Sequence, residues 1–241
     1  MTHNIKIFEV GGSIRDELLG IKNPPDRDFC AVSPDGWNAL LTWANDIMDK
    51  VFLVTPEFFT IRGMIGKDAI DIVMCRKDGS SSDGRHPDEV TPGTLLDDLR
   101  RRDFTINAMA REVDPKTLNP IGEIIDIFNA QQDIQDEVLR CVGNTHERLQ
   151  EDGLRLLRAA RFILIKNVRA DDDLQHALET SVWWHWLEET VSTERIREEL
   201  QKMFKHDTPA TMKFLVWNCC PAATRCLFSN GLWLKPHMGK K

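Results

Sequence analysis

The chain has 241 residues, 41% of them hydrophobic and 29% charged, with a formal net charge of −7. These values suit one large or two small globular domains and exclude a disordered or fibrous chain, while the lack of a long apolar run or a basic-then-apolar leader argues against a membrane partner. A negative chain offers no global field to a polyanion, so contact with nucleic acid must rest on local patches such as Arg100-Arg101-Arg102 or Arg155, Arg158 and Arg161.

Ile5–Val10 reads as a strand, Ser13–Leu19 as a short helix closed by Gly20, and Asp26–Val32 as a second strand. Ser33 before Pro34 reads as the N-cap of an amphipathic helix carrying Trp37, Leu40, Leu41, Ala44, Ile47 and Met48. Further strands are expected at Val51–Val54, Phe58–Ile65 and Ala69–Cys75. Residues 77–93, rich in Gly, Ser, Asp and Pro, read as a long functional or mobile connection. A helical pattern runs from Leu95 to Arg111, an irregular stretch spans Asp114–Gly122, and nearly everything from Asp126 to Lys205 reads as helix. The expected division is a mixed α/β head over 1–138, a helical segment over 139–205, and a short remainder with a basic tail over 206–241. Six cysteines without ligand spacing read as reduced, mostly buried thiols, and the expected location is the cytoplasm.

Four constellations carry chemistry. In Gly11-Gly12-Ser13-Ile14-Arg15-Asp16, a glycine pair lets backbone approach a phosphate before a helix start, and Arg15 can add a charged contact. The same string also reads as a tight turn with a capping box. Asp26 and Asp28, two apart on a strand, project to one face. Asp71 interrupts the apolar run Ile70–Cys75, where an acid is costly unless a metal or donor meets it. Three such oxygens fit Mg²⁺, although Asp26-Arg27-Asp28 also reads as a solvated turn. In Arg100–Ala110, Asp103 and Asn107 lie four apart and therefore on one helix face, where they could hold ribose hydroxyls beside phosphate-binding arginines. In Glu151–Phe162, Asp152, Arg155 and Arg158 line a face opposite the core stripe of Leu156, Ala160 and Ile163. A carboxylate beside a guanidinium offers the acceptor and donor fork that pairs with a base edge, or simply an intrahelical ion pair.

The strings GGSIRD (11–16), DRD (26–28), IDIVMCR (70–76), RRDFTINAMA (101–110), EDGLRLLRAARF (151–162) and STERIREEL (192–200), in this order, resemble the class II tRNA nucleotidyltransferase and bacterial poly(A) polymerase family. The resemblance implies an α+β fold, with a small mixed-sheet, polymerase-beta-like nucleotidyltransferase head followed by an all-helical neck. It implies that Asp26 and Asp28 bind two Mg²⁺ ions, with Asp71 as the third catalytic carboxylate. Gly11, Gly12, Ser13 and Arg15 would hold the triphosphate, and Arg102, Asp103 and Asn107 the ribose and phosphates. Asp152 and Arg155, braced by Glu151 and flanked by Arg158, would read the base. The implied activity is two-metal addition or repair of the 3′-terminal CCA of tRNA from CTP and ATP. A poly(A) polymerase, a partial adder, or an inactive RNA- or nucleotide-binding module are the alternatives. Residues 77–97 occupy the place of a loop that is shortened in CC-only members, which favours complete CCA addition. Family members usually continue into further helical domains, whereas little follows Phe204 here, so a compact form or a fragment is expected.

Overall fold

Lys6–Val10 (β1) lies inside a mixed sheet in the computed structural model, which describes residues 4–21, 27–78 and 90–228. The chain divides into two units, one reaching Ile134 and the other starting at Gln135. In the first unit, β1 is followed by Gly12–Leu18 (α1), Asp28–Val32 (β2), Trp37–Ile47 (α2), Lys50–Thr55 (β3), Thr60–Ile65 (β4) and Asp68–Met74 (β5). Arg76–Asp78 (β6), Val90–Pro92 (β7), Leu95–Arg100 (α3), Met109–Val113 (β8), Pro120–Asp126 (β9) and Ala130–Gln135 (α4) complete it. Among the described residues, seven strands form one sheet in the order β3-β4-β5-β2-β1-β8-β9. β2 and β5 run parallel, and the neighbouring pairs are antiparallel.

Alternation of side chains builds both faces of this sheet. Ile7, Phe29, Ala31, Ile61, Ile70, Ile72 and Met74 pack against Leu40, Trp43 and Ala44 of α2. Phe8, Val10, Cys30, Cys75 and Ala110 form the other core with Leu99 of α3. Each fully buried Leu, Ile or Phe contributes about 1.5–3 kcal/mol relative to exposure. Position 63 of β4 must be glycine, since a Cβ there would lie 2.3 Å from Met48 Sδ and 2.7 Å from the Lys50 carbonyl.

Two local expectations need correction. Ser33 does not cap α2; its hydroxyl donates to the Gly36 carbonyl at 2.8 Å, and Gly36 precedes the helix with no side-chain cap. The stretch 95–111 is not one helix. α3 starts in a capping box between Thr94 and Asp97 and ends at Arg100, Phe104 turns extended to bury its ring, a 3₁₀ turn covers Thr105–Asn107, and β8 begins at Met109.

The second unit contains Val138–Leu139 (β10), Thr145–Glu151 (α5), Leu154–Lys166 (α6), Arg169–Ala170 (β11), Asp172–Glu179 (α7), Ser181–Thr190 (α8), Thr193–His206 (α9), Thr208–Trp217 (α10) and Ala222–Phe228 (α11). The helices are interrupted by a short parallel ladder of β10 with β11. Leu156, Leu157 and Ala160 of α6 share one core with Leu178, Trp184, Leu187, Leu200 and Met203, and Leu215, Ala223 and Leu227 belong to the same core. Gly153 is tightly packed, because a Cβ would lie 3.0 Å from Thr190 Oγ1 and 3.1 Å from Leu187 Cα, so those neighbours would have to give slightly. All six cysteines are buried with free thiols. Among the described residues no helix is long and apolar enough to cross a membrane.

Candidate active site

Strand register brings the head residues together at one end of the sheet. Val10, the last residue of β1, pairs with Asp28 on one side and Ala110 on the other, and Asp28 pairs in parallel with Asp71. Side-chain alternation puts Asp28 and Asp71 on the face opposite α2. Arg62 of β4, the register partner of Asp71, forms a two-pronged ion pair with it. Hydrogen bonding and attraction from Asp71, with a further pull from Asp28, raise the pKa of the Arg62 guanidinium. These side chains line a cleft of about 510 Å³ together with Arg27, Phe52 and Ala69. Two hard carboxylates on adjacent strands, with a cation already drawn onto one of them, are a donor set that suits a divalent ion. Asp26 lies outside the described residues.

Gly11 turns the chain out of β1 with φ +82° and ψ −133°, a conformation open to glycine, and its N–H donates to the Met109 carbonyl at 3.3 Å. A Cβ there would sit 3.0 Å from Arg102 Nη1, and one at Gly12 would sit 3.2 Å from Arg15 Nη2. Ser13 and Arg15 are buried on α1. The Arg15 guanidinium donates to Asn107 Oδ1 and to Asp16 Oδ1, while Asn107 Nδ2 donates to Asp103 Oδ1 at 3.0 Å. Arg102 donates to Asp98 Oδ2 at 3.0 Å and to the Asn107 carbonyl at 3.4 Å. Gly11, Gly12, Ser13, Arg15, Arg102, Asp103 and Asn107 therefore form one cluster. Asp103 and Asn107 meet through the turn rather than along a helix face, and both are buried.

Glu151 ends α5 and Asp152 follows it in extended conformation. Arg155 donates to Glu151 Oε2 at 2.7 Å and to the Arg148 carbonyl at 3.0 Å. Asp152 takes a different partner. Arg195 of α9 donates to its Oδ1 at 3.2 Å and its Oδ2 at 2.7 Å, and Asp152 Oδ1 also accepts from the Leu154 N–H at 3.1 Å. Arg158 lies 3.8 Å from Glu199, which also binds Arg161 and Lys202. Burial alone would raise the pKa of Glu199, but Lys202, Arg161 and Arg158 together pull it below the usual carboxylate value.

Four supporting residues escape the sequence reading. Asp98 is fully buried and holds both Arg101 and Arg102; burial would raise its pKa, and the two arginines outweigh that and lower it. Its spacing four before Arg102 was a readable signal. Glu9 accepts from Arg27 at 2.9 Å and from Arg111 at 3.1 Å, and Arg111 also pairs with Glu17. Arg62 stands between apolar strand residues, a pattern as odd as that of Asp71. Arg195 lies in the string STERIREEL, but nothing local assigns it to Asp152, which is distant in sequence.

Comparison with known proteins adds a family. Residues 7–140 match the family described as the poly A polymerase head domain. The chain is 35% identical over 197 residues to the CCA-adding enzyme of Enterococcus faecalis, covering 81% of this chain and 44% of that protein. The structure of the Bacillus stearothermophilus CCA-adding enzyme in complex with CTP aligns with a TM-score of 0.68 at 27% identity, over 86% of this chain and 46% of that one. The Thermotoga maritima CCA-adding enzyme complexed with tRNA aligns with a TM-score of 0.71 at 27% identity, over 95% and 50%. The chain thus spans about half the length, or less, of these relatives.

Proposed function

Because the chain belongs to the poly A polymerase head domain family, we propose that it is a template-independent nucleotidyltransferase that adds or repairs the 3′-terminal CCA of tRNA in the cytoplasm. CTP and ATP are the substrates and pyrophosphate the leaving group. The observation that carries this reading is the parallel pairing of Asp28 with Asp71 beside the Gly11 turn. Relatives that match 81–95% of the chain are CCA-adding enzymes, one of them solved with CTP and one with tRNA.

The chemistry joins the 3′-oxygen of the RNA to the α-phosphorus and breaks its bond to the β-phosphate oxygen, with no covalent enzyme intermediate. Asp28 and Asp71, with Asp26, would hold two Mg²⁺ ions. When bound, the ions supply the charge neutralisation that in-line attack on a triphosphate needs. The residues of this chain do the positioning. Gly11 and Gly12 let the triphosphate approach backbone, and Arg15 and Arg102 offer guanidinium donors to its oxygens. Asp103 and Asn107 take the ribose, while Asp152 and Arg155, held by Arg195 and Glu151, read the edge of the base. Arg158 extends that row of donors. Within the head, the preformed contacts among Arg15, Arg102, Asp103 and Asn107 lower the barrier by placing charge before the reaction starts.

Primer extension tests the proposal, using tRNA transcripts that end before CCA, after C and after CC, with a non-tRNA oligonucleotide in parallel. Each is given CTP, ATP or both. Growth to CCA followed by a stop is the expected result. A long A ladder on any primer means a poly(A) polymerase, growth that halts at CC means a partial adder, and no extension with retained nucleotide binding means a binding module.

A further inference from the structure

A second cluster of ligating side chains lies wholly within the helical unit, and it shares no residue with those assigned above. His185 and Glu188 stand one turn apart on α8, and Cys226 approaches them from α11. Cys226 Sγ lies 3.3 Å from His185 Nδ1, His185 Nδ1 lies 3.9 Å from Glu188 Oε2, and the three ligand atoms all fall within 4.8 Å of one another. We propose that His185, Glu188 and Cys226 form a Zn²⁺ site that ties α11 to α8, with its fourth position open to solvent.

Geometry and chemistry both support this. Zinc bonds of about 2.0–2.3 Å in a tetrahedron put neighbouring ligand atoms about 3.3–3.8 Å apart, so two observed separations already lie at or near the required edges. A thiol, an imidazole and a carboxylate are a mixed set that suits Zn²⁺ and not Mg²⁺, which takes oxygen ligands. Accessibility is graded in the right way. The Cys226 side chain is buried, Glu188 is half-buried and His185 is exposed, so an ion enters from the His185 side and keeps a water there. Binding exchanges the thiol proton for the ion, since the thiolate is the form that ligates a metal.

The experiment uses the full chain, stripped with chelator under reducing conditions and then titrated with Co²⁺ alone while excess Mg²⁺ occupies oxygen-only sites. A thiolate-to-cobalt charge-transfer band together with tetrahedral d–d bands, saturating at one equivalent, is expected, as is displacement by Zn²⁺. Cys226→Ala should remove the charge-transfer band. His185→Ala, at an exposed position that leaves the core intact, should weaken Co²⁺ binding at least about tenfold. Cys219→Ser and Asp28→Asn should leave the band unchanged. No charge-transfer band in the parent, or a band that survives in both Cys226→Ala and His185→Ala, overturns the proposal. The readout does not involve nucleotide transfer, so its outcome is separate from that of the primer-extension test.

Discussion

Asp28 and Asp71 are direct partners in the parallel pairing of β2 with β5, so one strand register sets both carboxylates on the same face of the sheet. Asparagine preserves the shape of each side chain and removes only the charge. Asp28→Asn or Asp71→Asn should lower transfer of CTP and ATP alike by at least about 10²–10³-fold. Single-turnover extension measures the loss, and an unchanged thermal midpoint shows that the fold is intact. Parent-like transfer by either variant would remove that acid from the site.

Arg62 competes for Asp71 through an ion pair open to solvent. Such pairs contribute about 0.2–1 kcal/mol. Arg62→Gln should therefore lower the Mg²⁺ concentration needed for half-maximal rate, by at most about five-fold. A Mg²⁺ titration of the initial rate reads this directly, and a rise in the requirement would mean that Arg62 assists rather than competes.

Arg195 fixes Asp152 by both oxygens. Arg195→Ala should relax nucleotide choice, narrowing the difference in kcat/KM between correct and incorrect nucleotides by about 1–3 kcal/mol. Competition between labelled CTP, ATP, UTP and GTP on one primer measures it. An equal fall for every nucleotide would assign Arg195 to the fold alone.

Glu9, Asp98 and Glu199 all have pKa values below their ordinary range, because the arginine and lysine partners outweigh the cost of burial. A depressed carboxylate contributes stability that is complete above its unfolded value and is lost as pH falls through the lower folded value. Melting temperature should therefore be flat from neutrality down to about pH 5 and fall steadily below it. Glu199→Gln should make that fall shallower while lowering the neutral-pH midpoint, and a midpoint that rises on acidification contradicts the assignment.

Much of the sheet was legible because strand alternation is a local property: Ile5–Val10, Val51–Val54 and Ala69–Cys75 each announce themselves by their own residues. Asp71 stood out as an acid on an apolar strand, and Asp28 as one of two alternate carboxylates with Asp26. What escaped was set by partners far along the chain. Nothing near Asp152 foretells that Arg195, rather than Arg155, takes its carboxylate. The run after Arg100 has helical spacing, yet burial of Phe104 and the Asp103 contacts to the Phe104 N–H and Asn107 win over local propensity.

The crowding at Gly153 sets a rule for anyone who would alter nucleotide choice. The residues proposed to read the base flank a position where a side chain would press tightly on Thr190 and Leu187. A library randomised over 151–155 should return folded clones enriched in glycine at the middle position, while 152 and 155 drift. Diversity there has to be spent in two separate islands, and a stretch that looks continuous in the gene behaves as two independent sites under selection.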